Sequence, residues 1–477
     1  MQERSDPVVV KLRRLASGAR PRVVDLFSGC GGLSLGFQRA GFEIVAGVER
    51  DRHAAASHAR NFHVGASRHA VPRDLTDPLT TPATVLQDLG LPGPVGAVVD
   101  VVVAGPPCQA FARIGRAKLR ALAEDPVAFL HDPRADLHEH WLAWIAELVP
   151  LAVLIENVPD MLNQAGRNLA QEIAEELDQL GYVARYTLLN AVHYGVPQIR
   201  ERLFIIALHH SIGREPTFPP PSHRHVLPAG YRHSRTVALR HVTHDLFSSA
   251  SGWRDPPPVP ADAPPAVTTR AALADLAPLC PASDPLARRG ARRLDRAVPY
   301  RPVRPSGFAG SMRRWPGFEA PDGGPRDHVV RHLPRDWPIF ARMRPGDEYP
   351  AAVAIAESLF AERLRTANAD ATRRDPASDA WRALRKATVP PYRADSFPNK
   401  WWKLDPDLPS RTLMAHLGKD SYSHIHYDDA QARPISVREA ARLQPTGDLQ
   451  DVQRGLAARL VARPAPTGTG VVGAFGG

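Results

Sequence analysis

From Pro21 to about Leu208, short apolar runs rich in β-branched residues alternate with segments whose apolar positions recur at helical spacing. That alternation predicts an α/β protein built on a sheet. The predicted strands are Arg22 to Phe27, Glu43 to Val48, Ala97 to Ala104, Leu151 to Ile155, Val183 to Leu189 and Leu203 to Leu208. Several are apolar throughout, as strands covered on both faces must be. The spacing predicts helices over Leu33 to Ala40, Leu137 to Leu148 and Asn168 to Leu180, the last ending at Gly181 as a C-cap.

Near Ser211 the pattern gives way to stretches of Pro, Arg and His such as Pro216 to Pro228 and Pro256 to Pro265. From 211 to 395 there is too much proline to expect long helices. Trp253, Trp315, Trp337 and Trp381 nevertheless argue for a packed, irregular small domain with long loops. Order is expected again at Asn399 to Trp402 and in a helix over Ser436 to Leu443, with Ser436 as N-cap and Glu439 completing a capping box. The chain thus divides into an extension (1–20), the sheet region (21–210), the irregular region (211–395), a return of order (396–444) and a Pro/Gly/Ala-rich end (445–477).

The formal charge of +10, carried mostly by arginine, suits a phosphate-bearing partner, although an Arg-biased genome has the same effect. Cys30, Cys108 and Cys280 are too scattered for a zinc knuckle and too few for a disulfide framework, which points to a reducing, cytoplasmic setting. The polar start of the chain carries no leader-like apolar run, and no run has the length of a membrane span. Cys30 and Cys280 read as small buried hydrophobes.

Phe27, Ser28, Gly29, Cys30, Gly31 and Gly32 form a strand-to-helix turn whose glycines let a ligand approach the backbone. Glu49 follows the next strand about twenty residues on, where an acid accepts hydrogen bonds from ribose hydroxyls in nucleotide-binding sheets. Asp74 could similarly meet an adenine amino group, or simply cap the turn at Thr76. The glycines lack the spacing that seats a pyrophosphate, so a nucleoside cofactor without phosphates is preferred. In Gly105-Pro106-Pro107-Cys108-Gln109, two prolines direct a thiol at the carboxyl end of a strand, where open sheets place their ligands.

Four blocks in order, Asp25-Leu26-Phe27-Ser28-Gly29, Pro106-Pro107-Cys108-Gln109, Glu156-Asn157-Val158 and Gln198-Ile199-Arg200-Glu201-Arg202, resemble the DNA cytosine-5 methyltransferases of bacterial restriction-modification systems. Asn399 to Trp402, Pro409 to Thr412 and Arg433 to Gln444 continue the resemblance. It implies a Rossmann-like S-adenosylmethionine-dependent methyltransferase sheet with a smaller target-recognition domain at 211–395. It also implies S-adenosylmethionine held by Phe27, Ser28, Gly29, Gly31, Gly32, Glu49, Asp74 and Pro106. Cys108 would be the nucleophile toward cytosine C6, Glu156 the group facing N3 and the exocyclic amine, and Arg202, with Arg200, the holders of O2 and the carboxylate. Phe111 to about Asp136 would close over DNA around an extruded base.

Arg and His clusters at Ser222 to His225, Tyr231 to Arg235 and Arg288 to Arg296 are candidates for DNA contacts. The expected partners are duplex DNA and a cognate restriction endonuclease, with the chain itself a monomer. The family's closing Pro-Asp turn and Gly-Asn-Ala-Val block are not found in Pro445 to Gly477, which implies a shifted frame or a lost block and a donor pocket open on one side. One alternative is a transfer-RNA cytosine-5 methyltransferase, since a branch of the family acts on RNA with the same four blocks, although the large 211–395 region argues against it; the other is a catalytically impaired DNA-binding remnant produced by the altered end.

Overall fold

The computed structural model describes residues 6–107, 137–164, 166–242, 252–280, 297–317, 319, 323–326, 328–330, 333–366, 375–395, 397–414 and 422–444. Cys108, Phe111 to Asp136, Arg288 to Arg296 and Pro445 to Gly477 lie outside the described residues.

The apolar runs become β1 (Arg22–Leu26), β2 (Glu43–Val48), β3 (Val101–Ala104), β4 (Ala152–Asn157), β5 (Tyr182–Asn190) and β6 (Glu201–His209). They form one sheet in the order β2-β1-β3-β4-β6-β5. The pairs β1–β2, β1–β3 and β3–β4 are parallel, whereas β6 runs antiparallel to both β4 and β5. Residues 191–200 join β5 to β6, too short a link for the crossover helix that a parallel arrangement needs.

Two strand expectations are corrected. The run Ala97 to Ala104 starts as a helical turn and becomes strand only at Val101. Its apolar character suits either structure, and the junction is set by Asp100, whose backbone N–H donates to Arg22 O and whose carboxylate accepts from Arg22 N and the Arg14 side chain. Phe27 leaves the strand altogether, at φ +58°.

Helices α1 (Pro7–Ala16), α2 (Gly32–Arg39), α3 (Arg52–Phe62), α4 (Pro82–Asp88), α5 (Val95–Val98), α6 (Leu137–Leu148), α7 (Leu169–Gln179) and α8 (Ala229–Ala238) belong with this sheet. Alternate strand residues face opposite sides. Val24, Val102, Val153 and Ile205 join Trp141 and Ile145 of α6 and Ile173 of α7, while Val23, Val101, Leu154 and Ile206 join Val8 of α1 and Phe37 of α2. Both faces are covered, which explains the unbroken apolar strands. Helix α1 is fastened by Lys11, whose buried Nζ donates to Leu148 O and Val149 O at the end of α6, and burial lowers its pKa to about 7. As expected, α7 ends at Gly181, which takes φ +92°.

The chain divides into two compact units: Met1–Tyr194 with Glu201–Pro264, and Gly195–Arg200 with Pro265–Pro445. The second contains α9 (Thr269–Leu273), α10 (Gly307–Arg313), α11 (Trp337–Arg342), α12 (Tyr349–Thr366), α13 (Asp379–Lys386) and α14 (Val437–Leu443). Helix α12, at 18 residues, corrects the expectation of no long helix in this region. Average proline content concealed its local distribution: Pro350 sits in the first turn, where its missing N–H costs nothing, and no other proline follows before Thr366. Ile339, Phe340, Tyr349, Phe360 and Trp401 build a core around it. Ser436 and Glu439 form the anticipated capping box at α14. Glu439 is also bound in a buried fork by Arg433, at 2.7 and 2.8 Å. Among the described residues, no helix is long and apolar enough to cross a membrane.

Candidate active site

The first side of the site grows out of the carboxyl ends of β1 and β2. Phe27, Gly29 and Gly31 all take positive φ, which folds the chain sharply from β1 into α2. Gly31 is required twice over: its φ is +96°, and a Cβ there would lie 2.1 Å from the Phe62 ring. The turn is tied to β2 by Ser28 N donating to Val48 O and Gly29 N donating to Glu49 Oε2 at 3.0 Å. Glu49 Oε1 accepts from Asp51 N at 2.8 Å. The carboxylate is thereby held by two backbone amides, with acceptor capacity left over.

Beneath the turn lies a buried polar chain that sequence reading missed. Ser34 Oγ donates to Asp25 Oδ2 at 2.6 Å, Ser34 N donates to the same oxygen, and His58 Nε2 lies 3.0 Å from Ser34 Oγ. Burial drives the Asp25 carboxyl up to about 7, and burial together with His69 lowers His58 to about 4. The polar chain is closed off by Gly47, where a Cβ would come within 2.5 Å of the His58 imidazole, a tertiary contact that no local sequence pattern records.

A cavity of about 250 Å³ opens here, lined by Phe27, Val48, Glu49, Arg50, Arg73, Asp74, Leu75, Gly105 and Pro107. Phe27, Glu49 and Asp74 are thus brought together. Ser28, Gly29, Gly31 and Gly32 shape the turn, while Pro106 is buried beside it and Pro107 faces the cavity. Asp74 Oδ1 accepts from both the backbone and hydroxyl of Thr76, so it caps its turn and lines the cavity at once. Arg73 was not anticipated: its guanidinium donates to Arg68 O and Val71 O, fixing the loop that presents Asp74. Apolar walls and two carboxylates fit a nucleoside, whose ring stacks and whose hydroxyls and amine donate.

The other side is built where β4 meets β6. Glu156 is paired with Phe204 across the antiparallel ladder, which puts Arg202, two residues earlier on the same face, diagonal to it. Arg202 Nε lies 3.0 Å from Glu156 Oε1, and Arg202 Nη1 donates to Glu201 O at 2.7 Å. Asn157 Nδ2 reaches Pro106 O at 3.5 Å, linking the β4 end to the segment that leaves β3. Arg200 clusters with the second unit, where Gln198 binds Leu443 O and Leu413 N. Cys30 and Cys280 are both exposed, contrary to the expectation that they are buried. Cys30 stands between two glycines of positive φ in the turn, its carbonyl accepting from Asn61 Nδ2.

The sequence profile of the C-5 cytosine-specific DNA methylases matches residues 21–251. A protein of Oceanobacillus iheyensis assigned as a type II methyltransferase, M.OihORF3336P, is 35% identical over 94% of this chain and 93% of its own. The type II methyltransferase M.AgeI of Thalassovita gelatinovora is 28% identical over 90% of this chain and 91% of its own. A prophage-encoded E. coli chain assigned as a DNA modification methyltransferase shares the fold, with TM-score 0.54, 20% identity and coverage of 92% of this chain and 99% of its own. Such a sheet hosts S-adenosylmethionine-dependent chemistry in this family, in keeping with a pocket suited to a nucleoside. The likeness to M.OihORF3336P continues well past residue 251 and takes in both compact units, so the chain as a whole belongs to the C-5 cytosine-specific DNA methylase family, as a type II restriction-modification enzyme that methylates DNA cytosine.

Proposed function

We propose that this enzyme methylates C5 of a cytosine turned out of a specific duplex DNA sequence, through a transient bond between Cys108 and C6 of the ring. The observation that carries the reading is the Glu156–Arg202 pair, fixed on β4 and β6 beside the strand whose continuation is Gly105-Pro106-Pro107-Cys108.

Addition of the Cys108 thiolate forms the C6–S bond and moves an electron pair into the ring toward C5 and N3. Glu156 meets N3 and the exocyclic amine, countering the charge that develops there. Arg202, assisted by Arg200, holds O2 and keeps Glu156 in place. Once C5 carries the methyl group, a base removes the C5 proton, the C5–C6 double bond re-forms and Cys108 leaves as thiolate. S-adenosylmethionine, when bound, supplies the methyl group from its sulfonium.

Glu49 serves the ribose hydroxyls and the second oxygen of Asp74 the adenine amine. Phe27 forms an apolar wall, and Ser28, Gly29, Gly31, Gly32 and Pro106 shape the backbone around the ligand. Residues 21–210 and 396–444 act as the catalytic domain and 211–395 as the target-recognition domain, of which 211–264 lies in the first compact unit and 265–395 in the second. The enzyme works as a cytoplasmic monomer alongside a cognate endonuclease.

Trapping on duplex DNA containing 5-fluorocytosine tests the mechanism, since fluorine at C5 blocks the final elimination. Wild-type enzyme with S-adenosylmethionine is expected to give a denaturation-resistant adduct, and Cys108→Ala none. An adduct that survives Cys108→Ala would sink the assignment. Wild-type protein giving no adduct would instead favour the impaired remnant.

A further inference from the structure

Glu201 is a buried carboxylate that the proposed reaction does not use, and only 6% of its side chain is exposed. Arg235 of α8 places Nη1 3.5 Å from Glu201 Oε1, an oxygen with no hydrogen-bond partner, so the contact is electrostatic. Burial raises the Glu201 pKa, and Arg235 followed by Arg202 pulls it down. Helix α8 is itself anchored near Glu156: it packs on the turn Pro159–Asn163, and Asn163 Nδ2 donates to Val237 O at 2.9 Å. One helix therefore braces the segment that follows Glu156 and the residue that precedes Arg202.

We propose that Arg235 is a positioning residue for the Glu156–Arg202 pair, acting through Glu201 rather than contacting DNA. The inference rests on the reading that Glu156 and Arg202 meet the base. With Arg235 present, Glu201 has its own cation, and Arg202 is left to Glu156 at 3.0 Å. Without Arg235 the Glu201 carboxylate is left buried without its cation, which is costly, and the start of β6 shifts to relieve it; Arg202 Nη1 donates to the Glu201 carbonyl at 2.7 Å and moves with it. Arg202 is then drawn away from Glu156.

The test is a double-mutant cycle on the full chain, read as the single-turnover methylation rate on saturating duplex DNA. Arg235→Ala is expected to slow methyl transfer at least about tenfold, equivalent to about 1.4 kcal/mol in the barrier. KM for S-adenosylmethionine should stay within about twofold, as the Phe27–Glu49 cavity is untouched. Arg235→Lys should recover part of the rate. The diagnostic result is that Arg235→Ala/Glu201→Gln is faster than Arg235→Ala alone, since the unpaired buried charge is gone. Equal rates for those two variants, or a weakened DNA Kd with an intact saturated rate, would overturn the proposal. If Arg235→Ala melts below the assay temperature, Arg235→Lys with and without Glu201→Gln reads the same coupling. An Arg202→Ala variant run alongside separates the two levels: unimpaired activity there defeats the catalytic reading itself.

Discussion

Asp25 shows how much a single buried carboxyl in the cofactor turn can decide. Burial raises its pKa to about 7, Ser34's side-chain and backbone bonds lower it, and Glu49 adds repulsion. Between about pH 4, where an exposed Asp has ionised, and about pH 7, the folded chain keeps a proton that the unfolded chain has released. This group's stabilising contribution is therefore complete below about pH 4 and is lost as pH rises through about 7. Asp25→Asn abolishes the titration, so wild type should lose stability relative to the variant by up to about 1.4 kcal/mol per pH unit across that window. Urea midpoints measured at several pH values check it; parallel curves for the two proteins would show that Asp25 does not titrate there. Nothing in Asp25-Leu26-Phe27 marks that aspartate as buried, because the group it binds is Ser34 of α2, which is backed in turn by His58 of α3. Glu49 was legible, being an acid at a strand end a fixed distance from a glycine turn.

At the scale of elements, local signals served best where an element stabilises itself. The N-cap Ser436 and Glu439 were legible because a capping box is written within four residues. Their weights should nonetheless differ. Ser436→Ala loses a cap and should cost about 1 kcal/mol. Glu439→Gln breaks a buried fork with Arg433 and should cost about 3–5 kcal/mol. Thermal or urea unfolding of both variants measures the order; a costlier Ser436→Ala would mean that the fork adds little. The failures were of another kind. Ala97 and Val98, which end the helical turn Val95–Val98, look like strand because an apolar run has no period to read, and α12 was hidden by the proline content of the region around it.

For the whole molecule, a charge of +10 predicts binding to duplex DNA that weakens steeply with salt. If six to ten phosphates are neutralised, affinity should fall roughly 10³–10⁵-fold between about 50 and 200 mM salt. Titrations of a labelled duplex over that range give the slope, and a flat response would exclude a phosphate-dominated interface. Methyl incorporation into duplex DNA but not transfer RNA is expected alongside, and bisulfite sequencing then reads the target site. From the sequence alone, the sheet strands, the glycine turn, Glu49 and the order of the four blocks were determined, because each is encoded by neighbours along the chain. Only the tertiary structure decided that β6 runs antiparallel beside β4, which is what puts Arg202 diagonal to Glu156. Only it joined Asp25 to His58 through Ser34, and Glu201 to Arg235. Those pairings depend on strand direction and helix docking, which distant segments settle together and no local pattern records.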